Sequence, residues 1–367
     1  MIILVLGGYG GTGKVFCRYL LKETEASVIV AGRNIKKAEE LADTLKKDFS
    51  LERISARFAD ASDIESLRKA FRGIDFVLVA ATTTKWAKQI AETALKAGID
   101  HLDIYFQQDV YLKLESLSQR IRGAGRCFIT QAGFHPGLPA AFIRKGAEYF
   151  DRYDKAIIAF TMNVKIEKPE SIYELVDMIP DYKADIFKDG NWRVATYKDT
   201  IKIDFGPRFG IRNCMPMDMI ETRAMPELFW LKETGVYTTG FNWFVDYTLF
   251  PLMMLSHIVK KGSLRHFWAK SLIWGLDKFS KAEEGIVFLL QAEGEKDGKH
   301  RTMRILSDHD SAYDFTVIPV IACLKQYFDG SIRKPGLWMM GHVVDPGRLL
   351  RDMEKMGVSI QTRITDR

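Results

Sequence analysis

A glycine-rich segment near the amino terminus restricts the fold of this chain more than any other feature. Gly8, Gly10 and Gly13 form the pattern G-x-G-x-x-G, directly after the apolar run Ile2–Leu6 and at the start of a segment with helical periodicity. In that context the first glycine permits a tight turn, the second lets the backbone approach a pyrophosphate, and the third allows close helix-on-strand packing. The segment predicts a dinucleotide-binding βαβ unit.

The rest of the amino-terminal region repeats this alternation, which predicts an α/β fold with a doubly wound parallel sheet over residues 1–138. A helix is expected at 35–48, where apolar residues recur with helical spacing. A later segment, 311–356, is predicted to be helical at 312–328 and 346–356 and to pack back on this domain. The six predicted strands are 2–6, 28–31, 54–58, 76–80, 101–104 and 127–131.

The central region, 139–310, has a different pattern, which predicts an α+β domain for substrate binding or dimerisation. Longer alternating strands are expected at 156–164 and in a hairpin of 286–293 with 302–306, so an antiparallel sheet is predicted. Helices are expected at 171–187 and over the aromatic-rich stretch 241–279.

The end of the second predicted strand indicates which dinucleotide is bound. NAD sites place an acidic residue there, whereas this chain reads Ala31-Gly32-Arg33-Asn34. A guanidinium suits a 2′-phosphate, so NADP(H) is the expected cofactor. After the third strand, Asp60 is assigned to the cofactor and Asp63 to a helix cap. The predicted cofactor-binding residues are Gly8, Tyr9, Gly10, Gly11, Thr12, Gly13, Arg33, Asn34, Asp60, Ala80, Ala81 and Thr82.

Two further observations concern the family. None of the 13 tyrosines is followed four residues later by lysine, which excludes the Tyr-x-x-x-Lys catalysis of short-chain dehydrogenases. Over nearly its whole length the chain resembles the saccharopine dehydrogenase (saccharopine reductase) family of NADP-dependent oxidoreductases. The motifs that carry the resemblance are Gly7 to Gly13, Ala31-Gly32-Arg33, Ala97 to Asp103, Gly133-Phe134-His135-Pro136-Gly137-Leu138, and Lys334-Pro335-Gly336-Leu337 with Gly341-His342.

The resemblance implies that an antiparallel second domain covers the nicotinamide and that the substrate lies in the cleft between the domains. It does not identify the substrate, because family members include amino-acid reductases, polyamine-precursor reductases and lipid-type enoyl reductases. His101 and His135 stand where the family commonly has Tyr and Asp, which argues against lysine-pathway activity. His135 is the first candidate for a proton donor, because imidazole titrates near neutral pH. A surface or capping histidine is the alternative.

Other residues complete the predicted site. Asp103 and Tyr105 end the fifth strand, where Asp103 would orient His135 or bind a substrate amine. Gly133, Ser171 and Tyr173 are candidates for substrate binding, and a capping role is the alternative for Ser171. No metal site is predicted.

Three interpretations remain open for the stretch 241–279, which combines tryptophans with basic residues. It forms core or a homodimer interface, lines a channel for an apolar substrate, or lies weakly on a membrane surface. The net charge of +6 is spread along the chain without the basic runs typical of nucleic-acid binding. Because Met1 leads directly into a strand, a cytoplasmic location is expected.

These features predict an NADP(H)-dependent oxidoreductase that acts on a C=N, C=O or activated C=C bond of a small or partly apolar substrate. Two alternatives stay open at this stage. One is a non-catalytic NADP-binding sensor. The other is a peripheral membrane reductase of the lipid (enoyl) type.

Overall fold

The computed structural model describes residues 1–163, 170–178, 183–259, 264–280 and 284–367, without the side chains of 170, 171, 174, 178 and 257–259. The chain divides into two compact units. Unit 1 comprises residues 1–141 and 313–357, and unit 2 comprises residues 142–312 and 358–367.

The amino-terminal part of the chain alternates strands with helices. Its strands are β1 (Ile2–Leu6), β2 (Ser27–Gly32), β3 (Ile54–Phe58), β4 (Phe76–Val79), β5 (Asp100–Asp103) and β6 (Cys127–Thr130). Its helices are α1 (Gly11–Glu23), α2 (Ile35–Leu45), α3 (Ile64–Ala70), α4 (Ala87–Ala97), α5 (Asp109–Glu115), α6 (Ser118–Gly123) and α7 (Leu138–Ala147), with 3-10 turns at Leu51–Arg53 and Thr84–Trp86.

Unit 2 is built mostly from strands. They are β7 (Arg152–Asn163), β8 (Asp185–Lys188), β9 (Asn191–Val194), β10 (Ile201–Asp204), β11 (Ile211–Met217), β12 (Glu233–Thr239), β13 (Gly285–Lys296) and β14 (Lys299–His309). The helices are α8 (Glu170–Met178), α9 (Met225–Phe229), α10 (Phe250–Val259) and α11 (Arg265–Phe279), with a π-helical turn at Val245–Leu249 and 3-10 turns at Tyr197–Asp199 and Ile220–Thr222.

The carboxyl-terminal part returns to unit 1 before it ends in unit 2. Its elements are α12 (Ala312–Phe328), β15 (Gly336–Met339), α13 (Met340–Val343), α14 (Pro346–Lys355) and β16 (Ser359–Asp366). The predicted helices at 312–328 and 346–356 are confirmed.

The sheet of unit 1 is parallel, with strand order β15-β6-β5-β4-β1-β2-β3. After β3 the chain crosses back past β1, so the direction in which strands are added to the sheet reverses between β1 and β4. Parallel α/β sheets bind ligands at such a point, outside the carboxyl ends of the strands. The six predicted strands are confirmed. The seventh, β15, was not predicted; it pairs with β6 from Gly336↔Cys127 to Met339↔Thr130.

The sheet of unit 2 has nine strands, and the predicted antiparallel arrangement is confirmed except for one parallel pairing. Strand β12 runs parallel to β7, from Glu233↔Lys155 to Thr238↔Phe160. A parallel pair needs a long connection, and about 70 residues separate these two strands. The predicted hairpin is confirmed: β13 and β14 pair from Ile286↔His309 to Lys296↔Lys299.

Both long helices predicted for unit 2 are wrong in extent. Helix α8 ends at Met178, and part of the remainder forms β8, which returns to β9 through Asp189 and Gly190, both with positive φ. An Asp-Gly pair is a strong hairpin signal that the helical pattern concealed. The stretch 241–279 is also divided, into a π-helical turn, α10 and α11.

Candidate active site

The glycine loop joins β1 to α1 at the carboxyl edge of the parallel sheet. Its left-handed residue is Gly7, with φ of 84°, so the tight turn assigned to Gly8 falls one residue earlier. The turn is fixed by hydrogen bonds from Gly7 N to Ala31 O and from Gly10 N to Gly7 O, each 2.8 Å long.

Close backbone approaches explain why glycine is needed elsewhere in the loop. A Cβ on Gly13 would lie 2.1 Å from Gly7 O, and one on Gly8 would lie 3.0 Å from Val5 O. A Cβ on Gly10 would meet Gly7 O at 3.0 Å and no other atom closer than 4.0 Å. Gly13 is therefore required for packing within the protein, whereas Gly10 leaves space beside the loop.

The first turn of α1 has the donors that a diphosphate needs. Gly10 is the N-cap residue and provides no side-chain cap. The backbone N–H groups of a first turn have no acceptor within the helix, and the helix dipole adds positive potential there. The half-buried Gly11 and Thr12 lie in this turn. A pyrophosphate fits this chemistry, as the sequence predicts.

One neighbour of this turn has no signal in the sequence. The ring of Tyr313, on α12, lies against Gly11, where a Cβ would be 3.2 Å from the ring. Tyr313 is about 300 residues away in sequence and belongs to no local motif. Only the return of α12 to unit 1 brings the two residues together.

The end of β2 is shaped by Tyr9 from the glycine loop. The Tyr9 ring covers Gly32, where a Cβ would approach the ring to 2.5 Å, and its hydroxyl accepts a hydrogen bond from Asn34 N at 3.0 Å. The Asn34 side chain accepts from Lys37 N at 3.1 Å and caps α2. Asn34, predicted to bind the cofactor, therefore has a structural task. Arg33 is exposed at the strand end.

Asp60 lies in the loop after β3, within electrostatic range of Arg33. Its carboxylate accepts hydrogen bonds from the Ser62 backbone N–H at 2.9 Å and the Ser62 hydroxyl at 2.7 Å. These bonds, aided by Arg33, hold the pKa of Asp60 below its usual value, so Asp60 is anionic at neutral pH. Asp63 caps α3 by accepting from Glu65 N, as predicted.

The segment after β4 packs against the glycine loop. A Cβ on Gly7 would lie 2.6 Å from the Ala81 Cβ and 2.8 Å from Ala80 O, so small residues are needed on both sides. Thr82 is exposed at this edge. The Thr83 hydroxyl lies 2.8 Å from the Tyr105 hydroxyl, which links this segment to the end of β5.

Asp103 is fully buried in a network at the ends of β5 and β6. Its Oδ1 accepts hydrogen bonds from the Thr130 hydroxyl at 2.8 Å and from Gln131 N at 3.2 Å. Its Oδ2 lies 3.8 Å from His101 Nδ1. Burial raises the pKa of Asp103 to about 7 and lowers that of His101 to about 3. These hydrogen bonds of Asp103 join the end of β5 to the end of β6.

His135 lies in the loop that follows β6, between two glycines with positive φ. A Cβ on Gly137 would lie 2.5 Å from Gly133 O, so this loop is tightly folded. The imidazole centroid is 3.8 Å from that of Phe134 and 5.5 Å from that of Phe106. Burial lowers the pKa of His135 to about 3. This lowered pKa favours the neutral ring at pH 7 and opposes the predicted titration near neutral pH.

The two candidates on α8 belong to unit 2. Tyr173 lies with its hydroxyl 2.6 Å from His266 Nδ1 and with the Arg265 guanidinium 4.6 Å from its ring centroid. Arg265 in turn forms a bidentate ion pair with Asp177. These contacts tie α8 to α11. Ser171 is part of α8, but its side chain lies outside the described residues.

Two statements about metal ligands and membrane-spanning helices hold for the described ranges. No group of three His, Cys, Asp or Glu side chains is arranged to hold a metal ion. No helix combines the length and the apolar character needed to cross a bilayer.

Comparison with known proteins adds sequence and structural relatives. Residues 3–129 match the model of the saccharopine dehydrogenase NADP binding domain. No curated protein sequence matches the chain. Apo saccharopine dehydrogenase (L-Glu forming) from Saccharomyces cerevisiae is similar in structure, with a TM-score of 0.72 and 14% identity over 99% of both chains. The structural similarity shows a shared fold, and at 14% identity it shows the fold alone.

A second structure matches only in part. The triphenylmethane reductase of Citrobacter sp., complexed with NADP(H), is 22% identical over 44% of this chain and 57% of its own. Its TM-score of 0.29 is too low to show a common fold.

Proposed function

We propose that the chain is an NADP(H)-dependent oxidoreductase of the saccharopine dehydrogenase-like family, because residues 3–129 match the model of that family's NADP binding domain and the whole chain shares the fold of a saccharopine dehydrogenase. The bond it reduces or oxidises is C=N, C=O or activated C=C, in a small or partly apolar substrate. One observation carries the proposal: the uncapped first turn of α1 lies beside the end of β4, and the end of β2 provides Arg33 in place of an acid.

The residues of unit 1 have distinct tasks in this proposal. The amides of Gly11 and Thr12 bind the pyrophosphate, and Arg33 binds the 2′-phosphate. Tyr9 holds the strand end on which Arg33 is placed. The bound nicotinamide supplies or accepts the hydride.

His135 has a role that its neutral state permits. A neutral imidazole donates a hydrogen bond without carrying charge, and a neutral histidine polarises the substrate carbonyl of triosephosphate isomerase in this way. We propose that His135 orients or polarises the substrate. The buried Asp103 holds the ends of β5 and β6 and thereby supports the loop of His135.

Cofactor titrations test the first part of the proposal. NADPH and NADH are titrated into the wild-type protein and into Arg33→Ala, with Arg122→Ala as control, since Arg122 is an equally exposed arginine on α6. We expect NADPH to bind more tightly, and we expect Arg33→Ala to weaken NADPH alone, by roughly 10- to 100-fold for a charge-assisted contact. Equal affinities in the wild type would contradict the NADP assignment.

A substrate panel separates an enzyme from a sensor. NADPH oxidation is followed with imines formed from oxo acids and amines, with ketones and with enoyl compounds. Turnover with one class identifies the bond. Tight NADPH binding without oxidation across the panel would favour the non-catalytic sensor.

A second candidate function rests on an exposed aromatic surface in unit 2. We define the aromatic surface as Trp243, Tyr247, Phe267 and Trp274, whose exposures are 60%, 76%, 55% and 53%. Trp268 and Leu272 of the same stretch are core, since both are buried in one cluster with residues of α8 and α10. Lys270 and Lys278 are exposed on the same helix, α11.

Exposed aromatics with neighbouring lysines are typical of helices that lie on anionic membranes. We propose that the aromatic surface binds a lipid bilayer peripherally, which would suit a partly apolar substrate. The test is flotation with vesicles of phosphatidylserine and phosphatidylcholine at low salt. We expect Trp243→Ser with Trp274→Ser to abolish flotation and Trp230→Ser, an 85% exposed tryptophan after α9, to retain it.

A homodimer through the same surface is the competing outcome. It predicts no flotation and a dimeric mass by light scattering, which the double tryptophan variant would reduce to that of a monomer. That result would overturn the membrane proposal.

A further inference from the structure

Unit 2 contains a cavity of about 460 Å³ under the loop that joins β10 to β11. The floor is formed by neighbouring strands β14 and β16. Its polar lining consists of Asp204, Arg208, Arg304, Asp308, Gln361 and Arg363, and its apolar lining includes Phe205 and Leu306. A volume of this size is within the range of small-molecule sites.

Two like charges stand opposite each other on this floor. Arg304 on β14 pairs in register with Arg363 on β16, and the next same-face pair is Leu306 with Gln361. Alternate residues of a strand share a face, so these side chains face the cavity together. Like charges directly opposite each other destabilise a sheet.

Neither of these guanidiniums is neutralised by a carboxylate ion pair among the residues that the structure describes. Arg304 donates from Nη2 to the backbone oxygen of Asp204, while its Nε is buried without a hydrogen-bond acceptor there. Burial lowers the pKa of Arg304, the Asp204 carboxylate opposes this without forming an ion pair with Arg304, and Arg363 lowers the pKa further. A buried guanidinium donor without an acceptor is unfavourable, and an anion bound at this position would supply the acceptor.

Arg208, the third arginine of the cavity, is different. It donates to Asp308 Oδ1 at 2.8 Å and also pairs with Asp310. Its guanidinium lies where a Cβ on Gly285 would stand. Arg208 is therefore neutralised by its ion pairs. The cavity arginines that form no described ion pair are Arg304 and Arg363.

We propose that this cavity binds a small organic anion whose carboxylate or phosphate group lies between Arg304 and Arg363. Both guanidiniums are suited to bidentate binding of such groups. The rest of the ligand packs on Pro207 and Leu306. The site lies wholly within unit 2 and is independent of the proposed NADP(H) site in unit 1.

Calorimetric titration of the full chain tests the proposal, with citrate and inorganic phosphate as probes. The titrated protein carries Arg33→Ala, so that the proposed 2′-phosphate site does not contribute. Arg304→Gln and Arg363→Gln are compared with Lys202→Gln, which removes the same charge from exposed β10. We expect saturable binding of at least one probe, weakened at least about tenfold in both arginine variants and unchanged in Lys202→Gln.

The two probes distinguish the ligand class, since citrate binding indicates carboxylates and phosphate binding indicates phosphates. Arg363→Gln also removes the like-charge pair, so we expect its melting temperature without ligand to rise. No saturable binding of either probe, or equal binding in the arginine variants, would overturn the proposal. NADPH affinity in the same variants with Arg33 intact reports separately on the proposed function.

Discussion

Replacing Gly13 by alanine tests whether the glycine loop positions the first turn of α1. The added Cβ would lie 2.1 Å from Gly7 O, whereas real Cβ atoms essentially never approach closer than 3.0 Å, so helix and loop must separate by about 0.9 Å. The obstacle is backbone and cannot rotate away. Overpacking of this kind costs about 1–3 kcal/mol.

For a unit of this size, that loss lowers the melting temperature by roughly 2–4 °C per kcal/mol. The displaced amides of Gly11 and Thr12 lose hydrogen bonds to the pyrophosphate, so NADPH affinity should fall about tenfold or more. Gly123→Ala is the matched control, because Gly123 is helical and a Cβ there has no neighbour within 4 Å. A Gly13→Ala protein with wild-type melting temperature and NADPH affinity would refute the reasoning.

Three further predictions follow from buried groups of unit 1. Tyr327→Phe removes the hydroxyl that donates to Asp100 Oδ2 and should lower the unfolding free energy by about 1–3 kcal/mol in denaturant titrations, whereas Tyr197→Phe, at an exposed residue, should not. Since folding raises the pKa of Asp103 from 3.8 to about 7, the unfolding free energy of the wild type should fall as pH rises through that interval. Asp103→Asn should remove this fall. A difference in unfolding free energy between wild type and Asp103→Asn that stays constant between pH 4.5 and 8 would contradict the burial argument. His135→Gln should retain more turnover than His135→Ala, and neither change should remove a pH step near 6.5, because the ring is already neutral there.

Local patterns in the sequence were sufficient to predict most of unit 1. Strands β1 and β3 and helix α12 have the predicted ends, because each is a periodic segment with clear boundaries. Strand β15 was missed because its pairing with β6 depends on chain segments about 200 residues apart. The parallel pairing of β12 with β7 was not predicted for the same reason, since the two strands lie far apart in the chain.

The candidate site was predictable in position but not in electrostatics. The glycine loop, Arg33 and the Ala80-Ala81 segment are local features, and the structure brings them together at one sheet edge. The pKa of His135 depends on the rings of Phe134 and Phe106, and Tyr313 reaches Gly11 through tertiary packing alone. Such contacts have no local sequence pattern.

The late position of β15 in the chain has a consequence for synthesis on the ribosome. Strand β6 is complete at Thr130, yet its neighbour β15 begins only at Gly336. Tyr327 and Arg333, which contact the buried Asp100 carboxylate, are also made late. At ordinary translation rates this edge stays open for roughly 10–40 s on the nascent chain. An open parallel edge invites aggregation during that interval. A fragment cut at the end of the NADP-binding domain would keep the edge open permanently, so recombinant dissection of unit 1 requires residues 313–357 joined to residues 1–141.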